Sequence, residues 1–179
     1  MSESRRPYTL AEDEKATPVM IYTMASMAWG EVVTKELVRV NTFLRTLAPD
    51  YVALYDARLL PLGVDRPDQA IPFTELHIRT PQIIAFHLLP PAEEPADYDP
   101  TEANRVMELI TTMVGPFRID ASIRTSTMTS LGKHLDISTE AYMSLYDAAV
   151  SCPTMPALGT IRTPMVLIRR DLSSFAPRQ

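Results

Sequence analysis

Cysteine is almost missing from this chain: of 179 residues only Cys152 is one. No internal disulfide and no multi-cysteine zinc site can form, so nothing here supports secretion. Glycine is nearly as scarce, at 5, and neither G-x-x-x-x-G-K-[ST] nor G-x-G-x-x-G occurs. Phosphate-cradling loops of those kinds are excluded. The motifs H-E-x-x-H and G-x-S-x-G are missing too, which removes the zincin and α/β-hydrolase chemistries. Long hydrophobic runs are lacking. The apolar stretch nearest the N-terminus, Val19 to Trp29, is broken by Tyr22, Thr23 and Ser26, whereas a spanning helix needs roughly 20 apolar residues. No apolar signal core follows the polar start Met1 to Arg6. We therefore expect a cytoplasmic protein with no membrane segment.

Basic charge is also short, with 17 Lys and Arg against 22 Asp and Glu, net −5. A protein that binds by neutralising phosphates carries the opposite sign, so a nucleic-acid partner is not expected. What is plentiful is apolar residue, at 46%, together with 16 prolines. That is enough for a core, and it rules out disorder throughout.

The most informative feature is an internal repeat. Tyr51 to Ala57 reads YVALYDA and Tyr142 to Ala148 reads YMSLYDA, 91 residues on. At the same offset Thr34 meets Thr125 and Leu44 meets Leu135. Ile78 to Pro81 (IRTP) recurs as Ile161 to Pro164, 83 residues on, each copy followed by an apolar run. The two offsets together imply that copy two lacks eight residues, for which the loop Gly63 to Ala70 is the natural place. We expect two tandem related β halves, at 18–90 and 106–172. An acidic, proline-rich linker, 91–105, would be stiff and solvated between them. Residues 1–17 would form a flexible N-terminal segment and 173–179 a loose tail.

Within the first half, Val19 to Ala28 and Glu31 to Val40 read as a hairpin turning at Trp29 and Gly30. Asn41 to Leu47 reads as a helical turn. Tyr51 to Leu60, Ile71 to Thr80 and Gln82 to Leu89 read as strands. In the second half the spacing of Val106, Met107, Leu109, Ile110, Met113 and Val114 predicts a helix over Glu102 to Val114. Strands are expected at Phe117 to Thr125, Tyr142 to Ser151 and Met165 to Arg170, with a turn at Gly132 to Ile137. The fold class is thus mainly β, or α+β, with small barrel-like or sandwich-like halves.

Candidate chemistry is sparse. Asp56 and Asp147 share a place in the repeat, as do Arg79 and Arg162 on the IRTP alignment. An Asp–Arg pair in each half would suit general-acid or anion-binding work, but a motif present in both halves reads first as a folding need. Glu75, His77 and His87 could approach a shared metal if their strands were neighbours. A closed site wants three or four ligands, so no metal and no cofactor are expected. Cys152 reads as a small apolar filler. The function expected is a non-enzymatic binding or assembly module, forming a homo-oligomer or engaging a protein partner. The alternative is a small-molecule or nucleic-acid-binding regulator with its site between the halves.

Overall fold

The computed structural model describes residues 8–63 and 69–178. The chain is mainly β and divides into two units, Met1–Glu93 and Glu94–Gln179. No helix among the described residues is long and apolar enough to cross a membrane.

Unit 1 contains β1 (Glu14–Tyr22), β2 (Ser26–Lys35), β3 (Tyr51–Pro61), β4 (Ile71–Arg79) and β5 (Ala85–Leu88). Its strands are antiparallel and run in the order β5-β1-β2-β3-β4. Unit 2 contains β6 (Arg105–Val114), β7 (Phe117–Ser126), β8 (Tyr142–Ser151), β9 (Thr160–Arg169) and β10 (Ser173–Pro177). Their order is β10-β6-β7-β8-β9. The fifth strand of each unit therefore returns to pair with its first.

The connections match as well. Between the second and third strands, unit 1 has α1 (Val40–Thr42) running into a π-turn, Phe43–Leu47, and unit 2 has α2 (Leu131–Ile137). Ser130 caps α2 by accepting the Lys133 amide proton. A 3-10 turn links the fourth strand to the fifth, at Thr80–Gln82 and Arg170–Leu172. Leu54 and Phe86 in unit 1 are fully buried, as are Phe117 and Leu145 in unit 2. Each such side chain contributes roughly 1.5–3 kcal/mol of burial.

Both third strands bulge at the repeated aspartate. Glu31 pairs with Tyr55 and Trp29 with Arg58, so Gly30 faces two residues, Asp56 and Ala57. Ser122 pairs with Tyr146 and Asp120 with Ala149, so Ala121 faces Asp147 and Ala148. The extra residue is taken up in the left-handed region, with φ 45° at Asp56 and 50° at Asp147. Aspartate tolerates that conformation better than most side chains. Opposite the first bulge, a Cβ on Gly30 would come 2.7 Å from the Tyr55 carbonyl oxygen and 3.0 Å from the Ala57 Cα, so a side chain there would force the facing backbone to shift.

Register overturns the IRTP alignment. Tyr51 faces Arg79 and Tyr142 faces Arg169, so the counterpart of Arg79 is Arg169 and not Arg162. By the same pairing Leu167 stands where unit 1 has His77. The recurrence of those four letters is a coincidence of sequence. No eight-residue deletion is needed, because nine residues separate β3 from β4 and eight separate β8 from β9. Of the loop Gly63 to Ala70, residues 64–68 lie outside the described residues.

Four further expectations are corrected. Residues Arg105–Val114 form strand β6, not a helix. Ile110, Thr112 and Val114 alternate inward with essentially no exposure, and all three are β-branched. Ahead of the strand the chain turns, with the Asp99 carboxylate accepting from the Thr101 amide and hydroxyl. Residues Ser173–Pro177 form β10 along β6 and are not a loose tail; the Thr112 hydroxyl donates to the Ser174 carbonyl at 2.8 Å. The first hairpin turns between Tyr22 and Ser26, leaving Trp29 and Gly30 inside β2. β1 begins at Glu14, so the ordered chain reaches well into the supposed flexible segment, of which residues 1–7 lie outside the described residues.

If backbone conformation sets the preference at the bulge, Asp147→Gly should hold or raise stability, by up to about 1 kcal/mol. Asp147→Val should lower it by about 1–2 kcal/mol. Thermal melts of the two variants check this, and equal losses in both would count against it.

Candidate functional site

The bulge turns one tyrosine outward in each unit, and the segment ahead of the first strand lays a second tyrosine on it. The Tyr8 ring lies 4.1 Å from that of Tyr55, tilted by 46°. The Tyr98 ring meets Tyr146 edge-on at 5.0 Å. Tyr8 also donates its hydroxyl proton to Glu31 Oε2 at 3.3 Å. Partial burial, with the Glu75 carboxylate nearby, holds the Tyr55 hydroxyl above its ordinary pKa. The Tyr146 hydroxyl is raised further, first by burial and then by donating to Asp97.

In unit 1 this arrangement encloses a cavity of about 370 Å³. Tyr51, Ala53 and Tyr55 on β3, with Val33 on β2, form its floor. Phe43 and Pro49 wall it from the helical connection, and Tyr8 and Thr9 cover it. Glu14 is the carboxylate of the lining. It accepts the Ala11 amide proton at 3.1 Å and pairs with Lys35 at 3.2 Å. Those contacts, the amide first, hold it below the ordinary carboxylate range.

In unit 2 the corresponding space holds an arginine. Val33 lies two residues past Glu31, which faces Tyr55; Arg124 lies two residues past Ser122, which faces Tyr146. The Arg124 guanidinium sits over the Tyr98 ring at 4.7 Å. Its Nη1 donates to Glu102 Oε2 at 2.8 Å and its Nη2 to the Asp99 carbonyl at 2.9 Å. Only 14% of the Arg124 side chain is exposed. Glu102 also accepts from Arg105 at 3.0 Å, and the two arginines hold its pKa down. Asp97 accepts from Ser144 and, at 2.5 Å, from the Tyr146 hydroxyl. The acidic linker is therefore tied to β7 and β8 by these bonds while most of its residues stay exposed.

The residues singled out by sequence are placed as follows. Asp147 and Arg162 come together, lining a shallow hollow of about 330 Å³ with Ala148, Thr163 and Pro164. Asp56 and Arg79 do not form a matching pair. Arg79 faces Tyr51, five residues from the bulge, and its counterpart Arg169 bonds Asp171 at 2.6 and 2.8 Å. Glu75 and His77 form a half-exposed pair at 3.1 Å on β4. His87 is elsewhere, 2% exposed on β5, and no ladder joins β4 to β5 among the described residues. The shared metal site is thus not built, and no group of three metal-ligating side chains occurs among the described residues. Cys152 is buried, with Sγ 3.3 Å from the Thr154 hydroxyl.

The residues that sequence reasoning missed are Tyr8, Tyr98 and Arg124. A signal existed: Tyr8 and Tyr98 lie 90 residues apart, beside the 91-residue offset of Tyr55 and Tyr146.

His87 makes a buried pair with Tyr22. Its Nδ1 lies 2.8 Å from the Leu88 carbonyl, which assigns the proton there. Nε2 is then left to accept from the Tyr22 hydroxyl at 3.0 Å. Burial holds the imidazole below its ordinary value. The unfolded chain therefore takes the proton first, and stability present above about pH 6.5 is lost as pH falls through the folded value. The stability difference between the native chain and His87→Gln should shrink between neutral and mildly acid pH. Chemical denaturation across that range tests it, and a constant difference would refute it.

Comparison with protein-family models, with curated proteins and with solved structures gave no match to this chain.

Proposed function

We propose that the chain is a non-enzymatic binding and assembly module, built from two related copies of one small β unit and working as a homo-oligomer. The duplication is supported by the shared strand order, the shared bulge with its left-handed aspartate, and the tyrosine pair of each unit. Barrel-like or sandwich-like halves are favoured by burial on both strand faces. Val19, Met20, Ile21 and Tyr22 are consecutive and all buried, as are Val166, Leu167 and Ile168. A single sheet with one wet face would alternate.

The observation that carries the assembly reading is strand β4. It is nine residues long, and its one ladder among the described residues is to β3. One face exposes Ile71, Phe73, Glu75, His77 and Arg79, with Ile71 at 45% and Phe73 at 37%. A long edge of this kind is a template for pairing with another strand. Pro72 blunts its start, since it has no amide proton to offer, and leaves Phe73 to Arg79 for pairing. Two copies of β4 aligned antiparallel about Leu76 set Glu75 of one against His77 of the other. The same register sets Phe73 against Arg79. A carboxylate–imidazole contact and a cation–aromatic contact then repeat on either side of the two-fold axis. A second copy of the chain is the partner that fits.

Sedimentation over a concentration series tests this. We expect a monomer–dimer equilibrium that Phe73→Lys weakens about tenfold or more, without loss of fold by circular dichroism. A monomer at every concentration, or a dimer indifferent to Phe73→Lys, would overturn the reading.

A further inference from the structure

We propose that the aromatic cavity of unit 1 is a binding site for a guanidinium group, the place that Arg124 fills from within the chain in unit 2. The two units supply the comparison. Both lay a tyrosine from the preceding segment on the tyrosine that precedes the bulge. In unit 2 the guanidinium stacks at 4.7 Å on the outer ring and is bonded by a carboxylate and a carbonyl. In unit 1 the matching position is Val33, whose short side chain leaves the cavity of about 370 Å³.

The lining suits the ligand. Tyr8, Tyr51 and Tyr55 line the space with aromatic rings, whose faces attract a cation. Glu14 lines the space and supplies a carboxylate to it. Lys35, the base beside Glu14, is already held by Asp13 at 3.1 Å and Glu14 at 3.2 Å. Val33, Phe43 and Pro49 give an apolar wall for the methylene stem of an arginine side chain. A planar, weakly hydrated guanidinium stacks on such rings at lower desolvation cost than an ammonium. The cavity volume lies within the range of small-ligand pockets, roughly 300–1,000 Å³.

The test follows the ring resonances of Tyr8, Tyr51 and Tyr55 in the full chain by NMR. The probes are N-acetyl-arginine amide, its neutral citrulline analogue, the lysine analogue and methylguanidinium. The arginine derivative should give saturable shifts and bind about tenfold or more tightly than citrulline, with lysine between them. Binding of the arginine derivative well above methylguanidinium assigns the ligand to an arginine side chain. Equal binding assigns it to a small guanidinium compound, and either result supports the site. Val33→Arg should rebuild the unit 2 arrangement and abolish the shifts. Tyr8→Ala, altered in the covering segment rather than in a strand, should weaken them. Citrulline binding as well as arginine, shifts that do not saturate, or shifts that survive Val33→Arg would each overturn the proposal. Oligomeric state is read separately, so failure here leaves the assembly reading untouched.

Discussion

The arrangement of both units depends on one backbone constraint, the extra residue in the third strand. Side chains alternate along a strand with period two, so one added residue would turn everything after it inside out. Here the left-handed aspartate absorbs it. Met143 and Leu145 point inward before the bulge, and Ala148 and Val150 point inward after it. The parity has changed while the core face has been kept. In unit 1 the same step runs from Val52 and Leu54 to Ala57. The residue just before the step, Tyr55 or Tyr146, is left facing outward at the point of strongest local twist, where the preceding segment can lie across it. Without the bulge there would be no tyrosine pair, and without the pair no enclosed space beside it.

The two units share this bulge and differ at a few positions beside it. Arg124 withdraws a guanidinium from water, which is costly unless its donors are satisfied. Its bonds to Glu102 and Asp99, with the ring beneath it, meet that requirement. Val33 carries no such charge, so the cavity of unit 1 is lined by tyrosines and Glu14 with no arginine from the second strand in it. Setting the two units side by side thus shows what each lacks relative to the other.

Much of the fold was legible. The YDA recurrence marked the third strands correctly, because a bulge aspartate flanked by inward apolar residues leaves a rigid local pattern. The two helical connections and strands β3, β4, β7 and β8 were readable from apolar spacing bounded by turn residues. The IRTP match misled because four letters can coincide, and accepting it moved the last strand of unit 2 and hid β10. That strand was invisible for a second reason: Ser173 to Pro177 carries one large apolar residue, and its place is set by backbone bonds to β6 rather than by pattern. Strand β6 read as a helix because Leu109 and Met113, which fall on the helical stripe, in fact face outward at 58% and 39% exposure. Of the candidate site, Glu75 and His77 were seen as neighbours. The tyrosines of the covering segments were not, because a contact between a coil and a strand leaves no periodicity.

The acidic surplus of the chain takes on a different meaning in this light. In both units acids at or just ahead of the start of the first strand reach to a base on the second: Asp13 and Glu14 to Lys35, and Glu102 to Arg124. The two clasps are unequal. The Lys35 side chain is 58% exposed, so its pairs are screened by water and salt and hold little. Arg124 is stacked and largely buried, and its charge-assisted bonds are worth correspondingly more. The segment ahead of the first strand in unit 2 is therefore tied down through a buried cation, while in unit 1 the corresponding ion pairs lie at the surface. The same pattern of acid reaching to base thus serves burial in one unit and the solvated surface in the other.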